Sequence, residues 1–236
     1  MLSDAMRCFL VGAAVRSLQP GWEAAYDHER RYETEADARQ AAAGPHTMLI
    51  YPSARKEDHF STAQDIVRWT LAVPGKEVEV ALDDELAELL VVPRDALARR
   101  LSLEEEQWSE WLDRFEATRI GFASLPHTPY QPISSVSWLQ VRAALVGHVF
   151  PNLRIRVLNS DPVSDDRPRF EIGEDEAGFH VPPDSLSIFV AGNVLSRGLT
   201  LEGLTTSLFL RGLSAASSLM RTSCSCSAGT MSTIMH

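Results

Sequence analysis

Cysteine is scarce in this chain, basic residues are outnumbered, and long apolar runs are missing; each shortage removes a class of function. The three cysteines among 236 residues are Cys8, Cys224 and Cys226. Cys8 falls in an apolar helical pattern, as a buried thiol would. Such a set argues against a disulfide framework and leads us to expect a reducing, cytoplasmic setting. Lys and Arg total 22 against 32 Asp and Glu, a formal charge of −10. A non-specific DNA binder is normally basic, so any nucleic-acid contact here must be local. No apolar run is long enough for a membrane span, and the start lacks the basic-then-apolar pattern of a secretion signal. The phosphate-loop pattern GxxxxGK[ST] is also missing. Without it there is no cradle for nucleotide phosphates and no magnesium ligand set, so no cofactor and no hydrolysis are expected of this chain alone.

What is present reads as one α/β domain with an insertion. Met6, Phe9, Leu10, Ala13 and Ala14 share a face of a helix predicted from Ser3 to about Leu18, with Ser3 or Asp4 as its cap. The stretch from Trp22 to Ala43 is polar and reads as a solvated helix or loop. Met48-Leu49-Ile50-Tyr51 is a buried strand stopped by Pro52-Ser53. A helix follows from Ser61 to about Val73, with Ile66, Trp69, Thr70 and Val73 inward. Pro74-Gly75 ends it.

Residues 76–133 read as a mainly helical insertion. Helices are predicted at Asp83–Leu90 and from Pro93 to Arg100. A third follows the capping-box sequence Ser102-Leu103-Glu104-Glu105, with Trp108, Trp111, Leu112 and Phe115 on one face. Glu104, Glu105 and Glu106 suit a solvated helix start better than a metal site. Another helix runs from Ser134 or Ser135 to about Phe150. Strands are predicted at Leu153–Leu158 and Leu186–Val190, with Asp165–Pro183 looping out between them. Glu171, Glu174, Asp175 and Glu176 in that loop read as solvated, with no lysine to complete a cleavage site. The order of elements favours a parallel sheet covered by helices.

The stretch from Ile188 to Arg211, IFVAGNVLSRGLTLEGLTTSLFLR, carries the chemistry. A strand runs into a glycine-bearing loop, and a second apolar strand follows around Ser207 to Leu210. Gly198 and Gly203 would let the backbone turn sharply and approach a ligand. Free amides, hydroxyls and the Arg197 guanidinium could hold phosphate oxygens there. The alternative, of equal weight on these residues alone, is a structural strand–turn–strand with Arg197 paired to an acid.

The frame Ser196-Arg197-Gly198-Leu199-Thr200-Leu201-Glu202-Gly203 resembles motif V of superfamily 2 helicases. More closely, GNVLSRGLTLEGLTTSLFLR is similar to the signature of the bacterial Z-one (Z1) domain family, described as candidate endonucleases with superfamily 2 helicase folds. LSDAMRCFLVGAAVRSL, HTMLIYPSARKEDH and LRIRVLNSD resemble other pieces of that family, so the likeness spans nearly all of Leu2 to Arg211. The resemblance implies a RecA-like lobe, residues 1–75 and 134–211, with the insertion at 76–133. It implies contact of Asn193, Ser196, Arg197, Gly198 and Thr200 with nucleic acid, expected to be DNA, or with nucleotide. Ser53, His59, Asn159 and Ser160 are weaker candidates for the same path. Thr200 stands where the motif usually has an acid and cannot supply that charge. The complete enzyme would use ATP and magnesium, with the first RecA-like lobe supplied in cis or in trans; an internal start at Met1 or a split gene would explain its absence.

Residues 212–236 lose all periodicity. They read as a disordered tail, as a Cys-x-Cys metal ligand pair, or as a frameshift. Two thiols alone make a poor zinc site. With suitable third bases, Ser223 to Thr230 can encode Met-Gln-Leu-Gln-Arg-Trp-Tyr in another frame, which resembles motif VI with its arginine finger. Two other readings of the whole chain stay open: a non-catalytic RecA-like module that binds nucleic acid or protein, and a non-functional gene remnant.

Overall fold

The computed structural model describes residues 1–19, 30–42, 44–53, 55–72, 92, 94–123, 134–158, 170–183, 185–192 and 201–210. Its centre is a four-stranded parallel sheet built from β1 (His46–Tyr51), β2 (Arg154–Leu158), β5 (Leu186–Ala191) and β6 (Leu204–Phe209), in the order β2-β5-β1-β6. All four lie on or around segments predicted as strands. The two central ones, β1 and β5, are the near-continuous apolar runs that burial on both faces demands.

Seven α-helices lie among the described residues, and all except the second join the core on one face of the sheet. They are α1 (Leu2–Ser17), α2 (Glu35–Ala41), α3 (Lys56–Leu71), α4 (Arg94–Leu103), α5 (Glu105–Ala123), α6 (Trp138–Ala144) and the short α7 (Phe150–Asn152). A π-helical turn, Leu145–Val149, joins α6 to α7. Met48 and Ile50 of β1, Ile188 and Val190 of β5, and Ile155 and Val157 of β2 share one core with side chains of α1, α3, α4, α5 and α6. The result is a parallel α/β sheet flanked by helices, consistent with a RecA-like arrangement. The other face holds a smaller cluster: Leu49, Leu158, Phe189 and Ala191, with Phe170 and Leu201 against it. No described helix is long and apolar enough to cross a membrane.

Several local expectations change. Neither Ser3 nor Asp4 caps α1, which follows Met1 without a side-chain cap. Ser3 Oγ instead accepts the indole N–H of Trp69 at 2.8 Å, and Asp4 pairs with Arg7. Helix α3 begins at Lys56 rather than Ser61; Glu57 and Asp58 in its first turn suit the positive helix end. Ile66, Trp69 and Thr70 point inward as predicted, and Val73 lies outside the described residues. The later helix is capped by Ser137, which accepts from Gln140 N–H in a capping box, not by Ser134 or Ser135.

The predicted capping box at Ser102 is not formed either. Ser102 lies in the last turn of α4 and donates to Ala98 O. Glu104 is buried rather than solvated. It receives Arg7 at 2.8 Å and Arg100 at 2.9 Å. Arg100 also donates to Trp69 O at 2.6 Å and Ala72 O at 3.0 Å, and its guanidinium lies 4.3 Å from the Trp69 ring. Burial lowers the Arg100 pKa from its ordinary value, and Glu104 opposes that shift. This knot joins α1, α3 and the α4–α5 junction. Trp108, Trp111, Leu112 and Phe115 do share a face, and it packs into the main core.

Part of the segment read as a loop, Asp165–Pro183, is a small hairpin: β3 (Gly173–Glu174) pairs with β4 (His180–Val181). Asp175 builds its turn, accepting the N–H of Ala177 and of Phe179, both at 3.0 Å. Arg31 pairs with the same carboxylate at 2.9 Å, and Tyr32 bridges to His180. The helix predicted at Asp83–Leu90 and the tail from 212 lie outside the described residues.

Candidate functional site at the carboxyl edge of the sheet

The strand order puts a switch point between β1 and β5, the place where open α/β sheets have their ligand crevice. From β1 the chain travels past β5 to reach β2; from β5 it travels past β1 to reach β6. The β1–β2 connection runs through α3, α4, α5 and α6, whose buried side chains join the helical core, while Leu201 of the β5–β6 connection packs on the other face. In open α/β sheets, ligands bind outside the carboxyl ends of two such strands, where the connections diverge.

Ser53, one of the weaker candidates, follows β1 at this point and shapes the turn into α3. Its hydroxyl donates to Asp58 and accepts the N–H of Arg55 at 2.9 Å, the side-chain mimic of a turn that serine favours. His59, in the first turn of α3, sits beneath. Its Nε2 is 3.0 Å from Ser53 O, a partner that requires Nε2 to carry the proton and donate. The ring is only 3 % exposed. From that buried position His59 holds the loop that follows β1.

Gly192 completes the junction where β5 ends. A β carbon there would lie 2.5 Å from His59 Nε2 and 2.8 Å from Ser53 O. Only glycine lets the two loops meet this closely. The structure thus brings together Ser53, Asp58, His59 and Gly192. Asp58 and Gly192 were not among the sequence candidates, and nothing local marks them, because they matter only through a contact across the sheet.

Asn193, Ser196, Arg197, Gly198 and Thr200 lie outside the described residues, as do Asn159 and Ser160. The segments carrying them leave the carboxyl ends of β5 and β2, at Ala191 and Leu158.

Gly203 belongs to the opposite edge, where the connection arrives rather than departs. Its φ is +63°, and a β carbon would fall 1.8 Å from Pro45 O. Its carbonyl accepts Thr47 N–H at 2.9 Å, and Thr47 Oγ1 donates to Glu202 O at 2.8 Å. The close approach expected of Gly203 is made, but to the chain's own backbone and not to a ligand. His46 is buried beside it, stacked on Phe9 at 4.8 Å and donating from Nε2 to Phe9 O at 3.0 Å. Burial, then the nearby Arg16 charge, lower its pKa to about 3, so the ring is neutral.

The family model of the Z1 domain matches residues 1–224. The chain belongs to the Z1 domain family. No curated protein and no solved structure matches it. The Z1 match covers both edges of the sheet and the whole β5–β6 connection, so the crevice is part of the Z1 domain itself.

Proposed function

We propose that this Z1 domain is the second RecA-like lobe of a superfamily 2 type, nucleic-acid-dependent ATPase acting on DNA, and that its β1/β5 crevice faces the phosphate backbone. One observation carries the reading. The strand whose outgoing connection contains Ser196-Arg197-Gly198 ends at the point where the connections diverge, pinned there by Gly192 against His59 and Ser53.

The described residues do not fit magnesium. No three of His, Cys, Asp and Glu converge among them, and the Ser53 hydroxyl is engaged by Asp58 and Arg55. ATP chemistry therefore falls, in this proposal, to a first lobe supplied in cis or in trans, and no step is assigned to the present chain. Nor do the acids of the β3–β4 segment favour a nuclease: Asp175 is spent on its own turn and on Arg31.

The test is DNA binding by the chain across a range of salt concentrations. Arg197→Ala is expected to weaken binding and to reduce the salt slope by about one contact's worth. Equal affinity and slope in the two proteins would overturn the assignment. ATP hydrolysis by the chain alone would overturn the two-lobe argument.

A further inference from the structure

Tyr51 and Phe209 end β1 and β6 as direct register partners. The pairing holds to the last residue, with Leu210 N–H donating to Tyr51 O at 2.8 Å. Their rings lie 5.8 Å apart, tilted by 41°. Strand alternation puts both on the face of Leu49, opposite the helical core. Phe209 is 52 % exposed. That is an unusual residue for the end of a strand at the edge of the described sheet, where charge or proline normally guards against unwanted pairing.

The surroundings narrow what such a ring can be for. Phe209 stands at the carboxyl edge, beside the crevice, and is held by strand pairing rather than by a loop. Just past Tyr51, the turn built on Ser53 presents the exposed Arg55. A fixed aromatic face at that edge suits the face of a planar base. A duplex offers a protein its base edges and phosphates, whereas an unpaired base offers its π-face.

We infer that the Tyr51–Phe209 pair is a stacking platform for an unpaired base of single-stranded nucleic acid whose backbone follows the β1/β5 crevice. The inference rests on the nucleic-acid reading above and goes beyond it in selecting single strands over duplex. Phe209 receives the base, and Tyr51 supports Phe209 from its own strand. Stacking of this kind accepts any base, so little sequence preference is expected.

The experiment is fluorescence anisotropy of the full chain with two labelled probes, a single-stranded oligothymidylate and a blunt duplex. Phe209→Ala is expected to weaken single-strand binding roughly 5- to 100-fold, with the duplex affinity and both salt slopes unchanged. Phe209→Trp is expected to keep the affinity and to add fluorescence quenched by oligothymidylate. If the wild type binds both probes and Phe209→Ala matches it on both, the platform is overturned and the nucleic-acid reading stands. Equal losses on both probes would also overturn the platform. If the wild type binds neither probe, both ideas fall together. Phe209 is more than half exposed, so its truncation leaves the core intact and unchanged thermal melting checks this.

Discussion

The backbone of Gly192 lies so close to His59 that a β carbon would meet Nε2 at 2.5 Å. The imidazole is in turn tied to Ser53 O at 3.0 Å, so the two loops that flank the crevice are set by one contact. Gly192→Ala is expected to push His59 off that carbonyl and to cost about 1–3 kcal/mol, the usual range for overpacking. Urea unfolding measures it. His59→Ala should relieve part of the cost, because the ring is the nearer obstacle. Ser53 O, at 2.8 Å from the same β carbon, limits the rescue. Strict additivity of the two substitutions would show that the contact does not couple the loops.

Gly203 poses a harder problem for any side chain. Its φ of +63° disfavours a β carbon, and the nearest obstacle is the backbone oxygen of Pro45 at 1.8 Å. Pro45 O is itself fixed by Arg16 at 2.8 Å, so it cannot easily give way. Gly203→Ala is expected to cost roughly 3 kcal/mol or more, the left-handed penalty adding to the displacement of β6 from β1. A melting temperature within a degree or so of wild type would contradict this geometry.

His46 makes stability depend on acid. Its pKa is lowered to about 3 from an ordinary 6.5. Below the unfolded value, the unfolded chain takes up a proton that the native ring refuses. The contribution is therefore whole above about pH 6.5 and is lost as pH falls toward 3, at up to about 1.4 kcal/mol per pH unit. Gln at 46 could still donate to Phe9 O without titrating. His46→Gln is expected to flatten this part of the stability–pH curve, read by denaturant unfolding at several pH values. A slope unchanged by the substitution would assign the acid sensitivity to other groups.

The sheet was legible because its central strands are short apolar runs between turn residues. Met48–Tyr51 and Leu186–Val190 needed no tertiary information to be read as buried. The apolar pattern alone leaves His46 and Thr47 out of β1, because a polar residue joins a buried strand only when distant partners satisfy it, here Phe9 O for His46 and Glu202 O for Thr47. The hairpin at β3 and β4 escaped for a similar reason: its stability comes from the Asp175 side chain and from Tyr32, not from an apolar pattern. At the site, the loop chemistry was visible in Ser53 and Arg197, but the meeting of His59 with Gly192 was not, since it arises only when β1 and β5 become neighbours. Gly203 carried the right glycine signal with the wrong object, because spacing along the chain does not reveal which edge of the sheet a turn occupies.

Glu104 offers the sharpest stability test, because its partners come from so far apart. Arg7 reaches it across 97 residues, at 2.8 Å, and Arg100 across one helical turn, at 2.9 Å. All three side chains are buried, so removing the anion leaves Arg100 without a counter-charge away from water and Arg7 with only the exposed Asp4. Glu104→Gln keeps the shape and is expected to cost about 3–5 kcal/mol. The neighbouring Glu105 is exposed and accepts the Trp138 indole N–H at 2.7 Å; a glutamine oxygen can accept the same bond, so Glu105→Gln should stay within about 0.5 kcal/mol. Replacing all three charges by Met or Leu should recover much of the loss, since an apolar group of similar volume often matches a buried ion pair. Recovery should stop short of wild type, because Trp69 O and Ala72 O then lose Arg100 as their donor. Urea unfolding of the four proteins decides the matter: a Glu104→Gln cost as small as that of Glu105→Gln would mean that water reaches the knot and that the two arginines are not held by Glu104.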